Sequence, residues 1–201
     1  MKQRFKPREL TLLGLLTAIL LVMSFTPLGY LNIGPLAITL NMIPVAVAAI
    51  ALGPAGGAIT GAVFGMTSFL QCMGIGGTSA MGVVLFEISP VLTFFHRFLP
   101  RMATGWLVGW LYRGLRPKFG GMAASAATGF AAAFLNTALF LASLLLLFGN
   151  TAYIRELVGG RNVMVFVCTF VGINAVFEML ASTAITGILG RTLEKARLIR
   201  R

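Results

Sequence analysis

Long apolar runs, each closed by glycine, proline or a basic cluster, dominate the pattern along the chain. Residues 10–23 are apolar except for Thr11, Gly14 and Thr17, and the run stops at Ser24-Phe-Thr-Pro27-Leu-Gly29. Residues 42–52 follow, closed by Gly53-Pro54, and then 55–71, studded with Gly56, Gly57, Gly61 and Gly65. Further runs cover 93–112, 121–148 and 163–189. At about 20 apolar residues per helical crossing of a bilayer, the pattern predicts six transmembrane helices in a single integral membrane domain, 1–201. The predicted class is an all-α membrane protein. Gly57, Gly61 and Gly65 recur every fourth residue, which places them on one helix face and predicts close packing against a neighbour. Gly14 and Ala18 share that spacing. They offer a second such face, for packing inside the bundle or against another subunit.

The breaks between runs carry information of their own. Residues 25–41 hold no formal charge, yet they include Pro27, Gly29, Tyr30, Asn32, Gly34, Pro35, Thr39 and Asn41. Such a segment is too polar and broken for lipid and too apolar for a loop in water. Irregular backbone at membrane depth must be buried in protein or line a cavity, so a lid or pocket wall is predicted. Residues 72–92 contain Gly74, Gly76, Gly77, Thr78 and Ser79 and read as a mobile outer loop. Gly74-Ile-Gly-Gly77 is no phosphate loop, because no Lys-Ser/Thr follows and no strand precedes it.

Composition sharpens the class. Only 10% of the 201 residues are charged, against about 25% in soluble domains. Lys and Arg number 16 against 5 Asp and Glu, but they gather at the chain ends and at Arg113, Arg116 and Lys118. A nucleic-acid binder needs a basic face in polar surroundings, which this distribution does not supply. With both termini cytoplasmic, twelve basic residues fall on that side and two, Arg155 and Arg161, on the other. That asymmetry satisfies the positive-inside rule and predicts a multi-pass protein of the cell membrane. No small-x-small cleavage site follows the first run, which is read as a retained helix. Cys72 and Cys168 show no CxxC spacing and read as packing residues.

One helix is burdened with charge. Residues 93–112 include His96, Arg97, Pro100 and Arg101, and a charge at the bilayer centre costs roughly 3 kcal/mol on insertion scales. Arg97 and Arg101 lie one turn apart on one face. Asn136 falls near the middle of 121–148, and Asn174 and Glu178 are one turn apart in 163–189. In the six-helix topology these groups reach a common depth beneath residues 25–41. The candidate site is therefore Arg97, Arg101, Asn136, Asn174 and Glu178, with Thr39 and Asn41 from the lid. Competing readings are an arginine reaching for the interface, above all Arg97, asparagines bonded between helices, Glu178 as a structural partner of Arg101, and His96 as a filler at the outer interface. With one His and no Asp, an acid–base or metal centre cannot be assembled. No enzyme activity, metal or cofactor is expected.

These features together resemble the substrate-binding S components of energy-coupling-factor (ECF) vitamin transporters. The likeness is carried by Gly14-x3-Ala18, Gly34-Pro-Leu-Ala-Ile-Thr-Leu-Asn-Met-Ile-Pro44, Leu52-Gly-Pro-Ala-Gly-Gly-Ala-Ile-Thr-Gly61, Phe98-Leu-Pro-Arg101, Asn136-Thr137 and Asn174-Ala-Val-Phe-Glu178. The pantothenate-type group is most similar, although Phe177 stands where that group usually has proline and Asn41 where it often has histidine. The resemblance implies a binder of a water-soluble vitamin, pantothenate first, with riboflavin, folate or biotin as alternatives. It implies partners as well: a transmembrane coupling protein, docked through Gly14 and Ala18, and two cytoplasmic ATPases. A stand-alone secondary transporter of a small organic anion is the alternative outside the family.

Overall fold

The computed structural model describes residues 5–32, 37–77, 79–159 and 163–199. Lys2, Arg4, Gly34, Pro35, Thr78, Arg161, Arg200 and Arg201 lie outside them. Helix α1 (Pro7–Phe25) begins behind Lys6, whose N–H donates to the Glu9 carboxylate at 2.9 Å. Pro27 cannot continue the helical ladder, and a 3-10 turn at Pro27–Gly29 leads into two short strands, β1 (Tyr30–Asn32) and β2 (Ala37–Thr39). They pair antiparallel, with Tyr30 opposite Thr39. This short hairpin is an addition to a chain that is otherwise helical, as the all-α class predicted. The physical reason is that extended backbone packed among helices must satisfy its N–H and C=O groups, and two strands do so for each other.

Beyond the hairpin run α2 (Met42–Leu52), α3 (Pro54–Cys72), α4 (Ala80–Ile88), α5 (Pro90–Phe148), α6 (Ala152–Val158) and α7 (Val163–Lys195). Two of these were not expected. Helices α4 and α6 are short, and each is started by a hydroxyl cap: Ser79 accepts the Gly82 N–H at 3.3 Å and Thr151 the Ile154 N–H at 3.4 Å. The stretch expected to connect helices around 113–118 is itself helical. Helix α5 bends only at Gly120, where φ is 76° and ψ 168°, which divides it into arms 90–119 and 121–148. A positive φ there suits glycine alone among common residues.

Helix α2 is the centre. All eleven of its residues are buried, as an all-round apolar helix requires, and α1, α3, α5 and α7 surround it. Along the α3–α5 seam, glycines replace side chains. A Cβ at Gly57 would run into the Gly105 carbonyl, one at Gly61 into the Arg101 carbonyl, and one at Gly65 into Phe98 Cα. Helix α2 is about 16 Å long at 1.5 Å per residue, and α3 about 28 Å. The hairpin therefore occupies the level that α2 leaves open. There Gln71 Nε2 donates to the Ser24 carbonyl at 2.6 Å and Thr67 Oγ1 to Ser24 Oγ at 3.2 Å, pinning the end of α1 to the end of α3. At the opposite end Arg8 Nη2 donates to the Ala196 carbonyl at 3.2 Å, and Arg116 meets Glu194 at 3.1 Å.

The outer surface is apolar. Leu15, Ile19 and Val22 on α1, Trp106 and Trp110 on the first arm of α5, and Phe130 and Phe134 on the second are all exposed. Soluble proteins rarely expose contiguous apolar patches larger than a few hundred Å², whereas a bilayer accommodates such a surface. Among the described residues, α1 and α5 are each long and apolar enough to cross a membrane.

Candidate functional site

The site is built on the first arm of α5. Thr93, Arg97 and Arg101 follow one another at four-residue spacing and so share a face. Both arginines are only 6% exposed. Arg101 Nη1 donates to the Arg97 carbonyl at 2.8 Å, and its guanidinium lies over Phe64 at 4.7 Å and over Phe140 at 5.6 Å. Arg97 points toward α4, with Nη2 donating to Ser79 Oγ at 3.2 Å and its guanidinium 5.3 Å from Phe140. It does not reach for an interface.

His96 departs from the expectation of an outer-interface filler. It is fully buried, with its ring 4.4 Å from Phe140 and 6.0 Å from Phe148. Its Nδ1 shares a 2.7 Å hydrogen bond with Ser143 Oγ. Ser143 Oγ also lies 2.9 Å from the Phe140 carbonyl, within reach of its hydroxyl proton. The ring is locked by partners on the other arm of α5, some 47 residues away in sequence.

The second arm supplies Asn136, buried, one turn before Phe140. Helix α7 supplies Asn174, partly buried, and Glu178, 8% exposed. Glu178 Oε1 accepts the Thr39 N–H at 2.6 Å, which fastens the hairpin to α7, and Arg101 lies within coulombic reach of the same carboxylate. Asn41, at the foot of the hairpin, is fully buried beside Gly29; its N–H donates to Thr39 Oγ1 at 3.3 Å. The side-chain amide of Asn41 and Oδ1 of Asn136 are buried without a hydrogen-bond partner among the described residues. Each such group costs roughly 1–3 kcal/mol. Polar groups retained at that cost in an otherwise apolar interior mark a binding region better than a packing one.

Of the residues expected from the sequence, Arg97 and Arg101 gather around Phe140 with Asn136 one turn away on the same arm, while Glu178 and Thr39 join the hairpin to α7. Asn174 stands one turn from Glu178, and Asn41 lies under the hairpin. Gly14 and Ala18 stand apart. They lie on the exposed face of α1, and a Cβ at Gly14 would meet no atom within 4 Å, so this pair does not serve packing inside the bundle. Phe64, Phe140, Ser79, Ser143 and Thr93 were not singled out from the sequence, because aromatic and hydroxyl residues in apolar runs look like ordinary packing. Phe140 carried one usable signal, its spacing of four from Asn136.

Two buried guanidiniums thus gather around Phe140, and among the described residues Glu178 is the only buried acid. Such a site favours a small anion that also carries hydrogen-bonding groups. Comparisons with known proteins cover nearly the whole chain. A family model described as "ECF transporter, substrate-specific component" matches residues 8–190. The chain is also 27% identical over 208 residues to the pantothenic acid transporter PanT of Lactococcus lactis subsp. cremoris (strain MG1363), covering 97% of this chain and 98% of that protein.

Proposed function

We propose, given that this chain belongs to the family of ECF transporter substrate-specific components, that it captures pantothenate or a closely related vitamin acid at the Arg97–Arg101–Glu178 site for ATP-driven uptake. It crosses the membrane six times with both termini cytoplasmic, and it catalyses no reaction of its own. The observation that carries the reading is the buried surplus of guanidinium over carboxylate around Phe140. Asn136, Asn174 and Asn41 are suited to the amide and hydroxyls of pantothenate, and the hairpin latched through Thr39 and Glu178 closes over them. Likeness to a pantothenic acid transporter supports the choice of vitamin.

Calorimetric titration of the purified protein with pantothenate, riboflavin, folate and biotin tests the vitamin. Pantothenate should bind, and binding of another vitamin with pantothenate inert overturns that choice. Uptake by this chain alone, in cells lacking a coupling protein and its ATPases, overturns the transport mechanism.

The open stripe of Gly14 and Ala18 on α1 is the proposed docking face for the coupling protein. Small residues let two helix backbones approach closely. Since nothing surrounds Gly14 within the chain, Gly14→Leu should leave vitamin binding unchanged while reducing co-purification with the coupling protein and transport by the full complex. Unimpaired transport would remove α1 from the docking role.

A further inference from the structure

The first arm of α5 meets the α2–α3 turn at the end of the bundle remote from the hairpin. A Cβ at Gly109 would run into Pro54 there, and one at Gly53 would lie 2.6 Å from Arg113 Nη2 and 3.3 Å from its Nε. The guanidinium of Arg113 is therefore seated against the turn, in room that exists because residue 53 has no side chain. It also rests over the Trp110 ring, 5.4 Å from the ring centre. Trp106, Trp110 and Arg113 follow one another at spacings of four and three, so they share a face of α5. All three are exposed, and the two indole rings meet edge to face with centres 6.5 Å apart.

No acid of the chain is placed to neutralise Arg113. Of the five, Glu194 is paired with Arg116 at 3.1 Å, and Glu9 accepts the Lys6 N–H. Glu178 is buried in the vitamin site, and Glu87 and Glu156 belong to α4 and α6. An arginine that served only to mark orientation would extend its head into water. Arg113 is instead folded back onto an exposed aromatic ring at the level of a turn. That arrangement suits a membrane interface, where a tryptophan meets acyl chains and headgroups at once.

We infer that Arg113, seated on Gly53 and Trp110, binds the headgroup phosphate of an anionic phospholipid, with Trp106 lying along the acyl chains. The guanidinium fork matches the geometry of a phosphate, and the contact with Trp110 orients that fork before a lipid arrives. The indole N–H of Trp110 is a second donor for the same headgroup. An excess of 16 basic over 5 acidic residues makes the whole chain attractive to an anionic leaflet, and the seat on Gly53 turns that general attraction into a place for one lipid. In the proposed topology the leaflet is the cytoplasmic one. The site is separate from the vitamin pocket, since Arg113 lies twelve residues beyond Arg101 along the helix, about 18 Å at 1.5 Å per residue.

Native mass spectrometry of the full chain, purified in detergent and stripped of lipid, tests this with added dioleoyl phosphatidylglycerol and dioleoyl phosphatidylcholine. Wild type should retain one phosphatidylglycerol in preference to phosphatidylcholine, and equal retention of the two overturns the inference. Arg113→Gln should weaken phosphatidylglycerol binding by about fivefold, the factor expected for one basic residue near an anionic surface. Lys118→Gln removes the same charge from an exposed position on the same arm and should leave that binding unchanged. Equal losses in the two variants, or no loss in Arg113→Gln, show general charge attraction only and overturn the site. Should Arg113→Gln fail to fold, Trp110→Leu decides: a reduced preference for phosphatidylglycerol supports the site and an unchanged one overturns it. Millimolar inorganic phosphate should leave the bound lipid in place, and its displacement would make this a site for a free anion and overturn the lipid.

Discussion

Arg101→Ala should weaken vitamin binding by roughly thirtyfold or more, the equivalent of about 2 kcal/mol or more for truncating one partner of a buried charge pair. Arg155→Ala, on the exposed face of α6, should change it by less than about twofold, within the ±0.5 kcal/mol usual for surface substitutions. The effect of Arg101 comes from two sides. Its guanidinium adds to the positive field that draws an anion into the site, and it covers Phe64 and Phe140 on the two flanking helical segments, near the Glu178 carboxylate that holds the hairpin through Thr39. Without Arg101 the site loses one of its two buried positive charges. Arg101→Lys should fall between, because lysine restores the charge without the planar fork. Calorimetry on protein that remains monodisperse measures this. Equal, small losses for Arg101→Ala and Arg155→Ala would overturn the site.

Gly57→Leu should abolish the folded protein. Ordinary overpacking of a core costs about 1–3 kcal/mol because neighbouring side chains can shift. At Gly57 the obstacle is the backbone carbonyl of Gly105, which can give way only if the two helices part. That seam also holds Arg101 and Phe98 against Gly61 and Gly65, so its separation would dismantle the site with the fold. Size-exclusion chromatography of the solubilised variant should show loss of the monodisperse peak, while Gly14→Leu, in open surroundings, keeps it. A monodisperse Gly57→Leu protein with unchanged thermal stability would contradict the packing argument.

What the sequence made legible and what it hid follow from the range of the interactions concerned. The helices could be read because apolar runs and the breaks at Pro27, Gly53-Pro54 and Gly149 are local signals. The glycine ladder of α3 was readable for the same reason, since a spacing of four is a statement about one face. Helices α4 and α6 escaped because one or two turns started by a serine or threonine cap leave little periodicity to detect. The strands escaped because three residues each are too few for alternation to emerge. His96 was misjudged because its burial is decided by Ser143 and Phe148, which the bend in α5 brings back from far along the chain. The surroundings of Arg97 were hidden likewise, as they depend on the Ser79 cap of α4 meeting its guanidinium.

The bend at Gly120 has a mechanical consequence. The arm from Gly120 to Asn136 is sixteen residues of helix, about 24 Å at 1.5 Å per residue. An angular change of about 5° at that single glycine would carry Asn136 through roughly 2 Å relative to Arg101, by the length of helix between them. A Cβ at Gly120 itself would meet no atom within 4 Å, whereas one at Gly121 would run into the Glu194 carboxylate, so α7 is the support against which the elbow turns. The width of the vitamin site is thereby geared to the angle of a joint at the far end of the molecule, where a push too small to disturb any binding contact directly would still be magnified into one that matters.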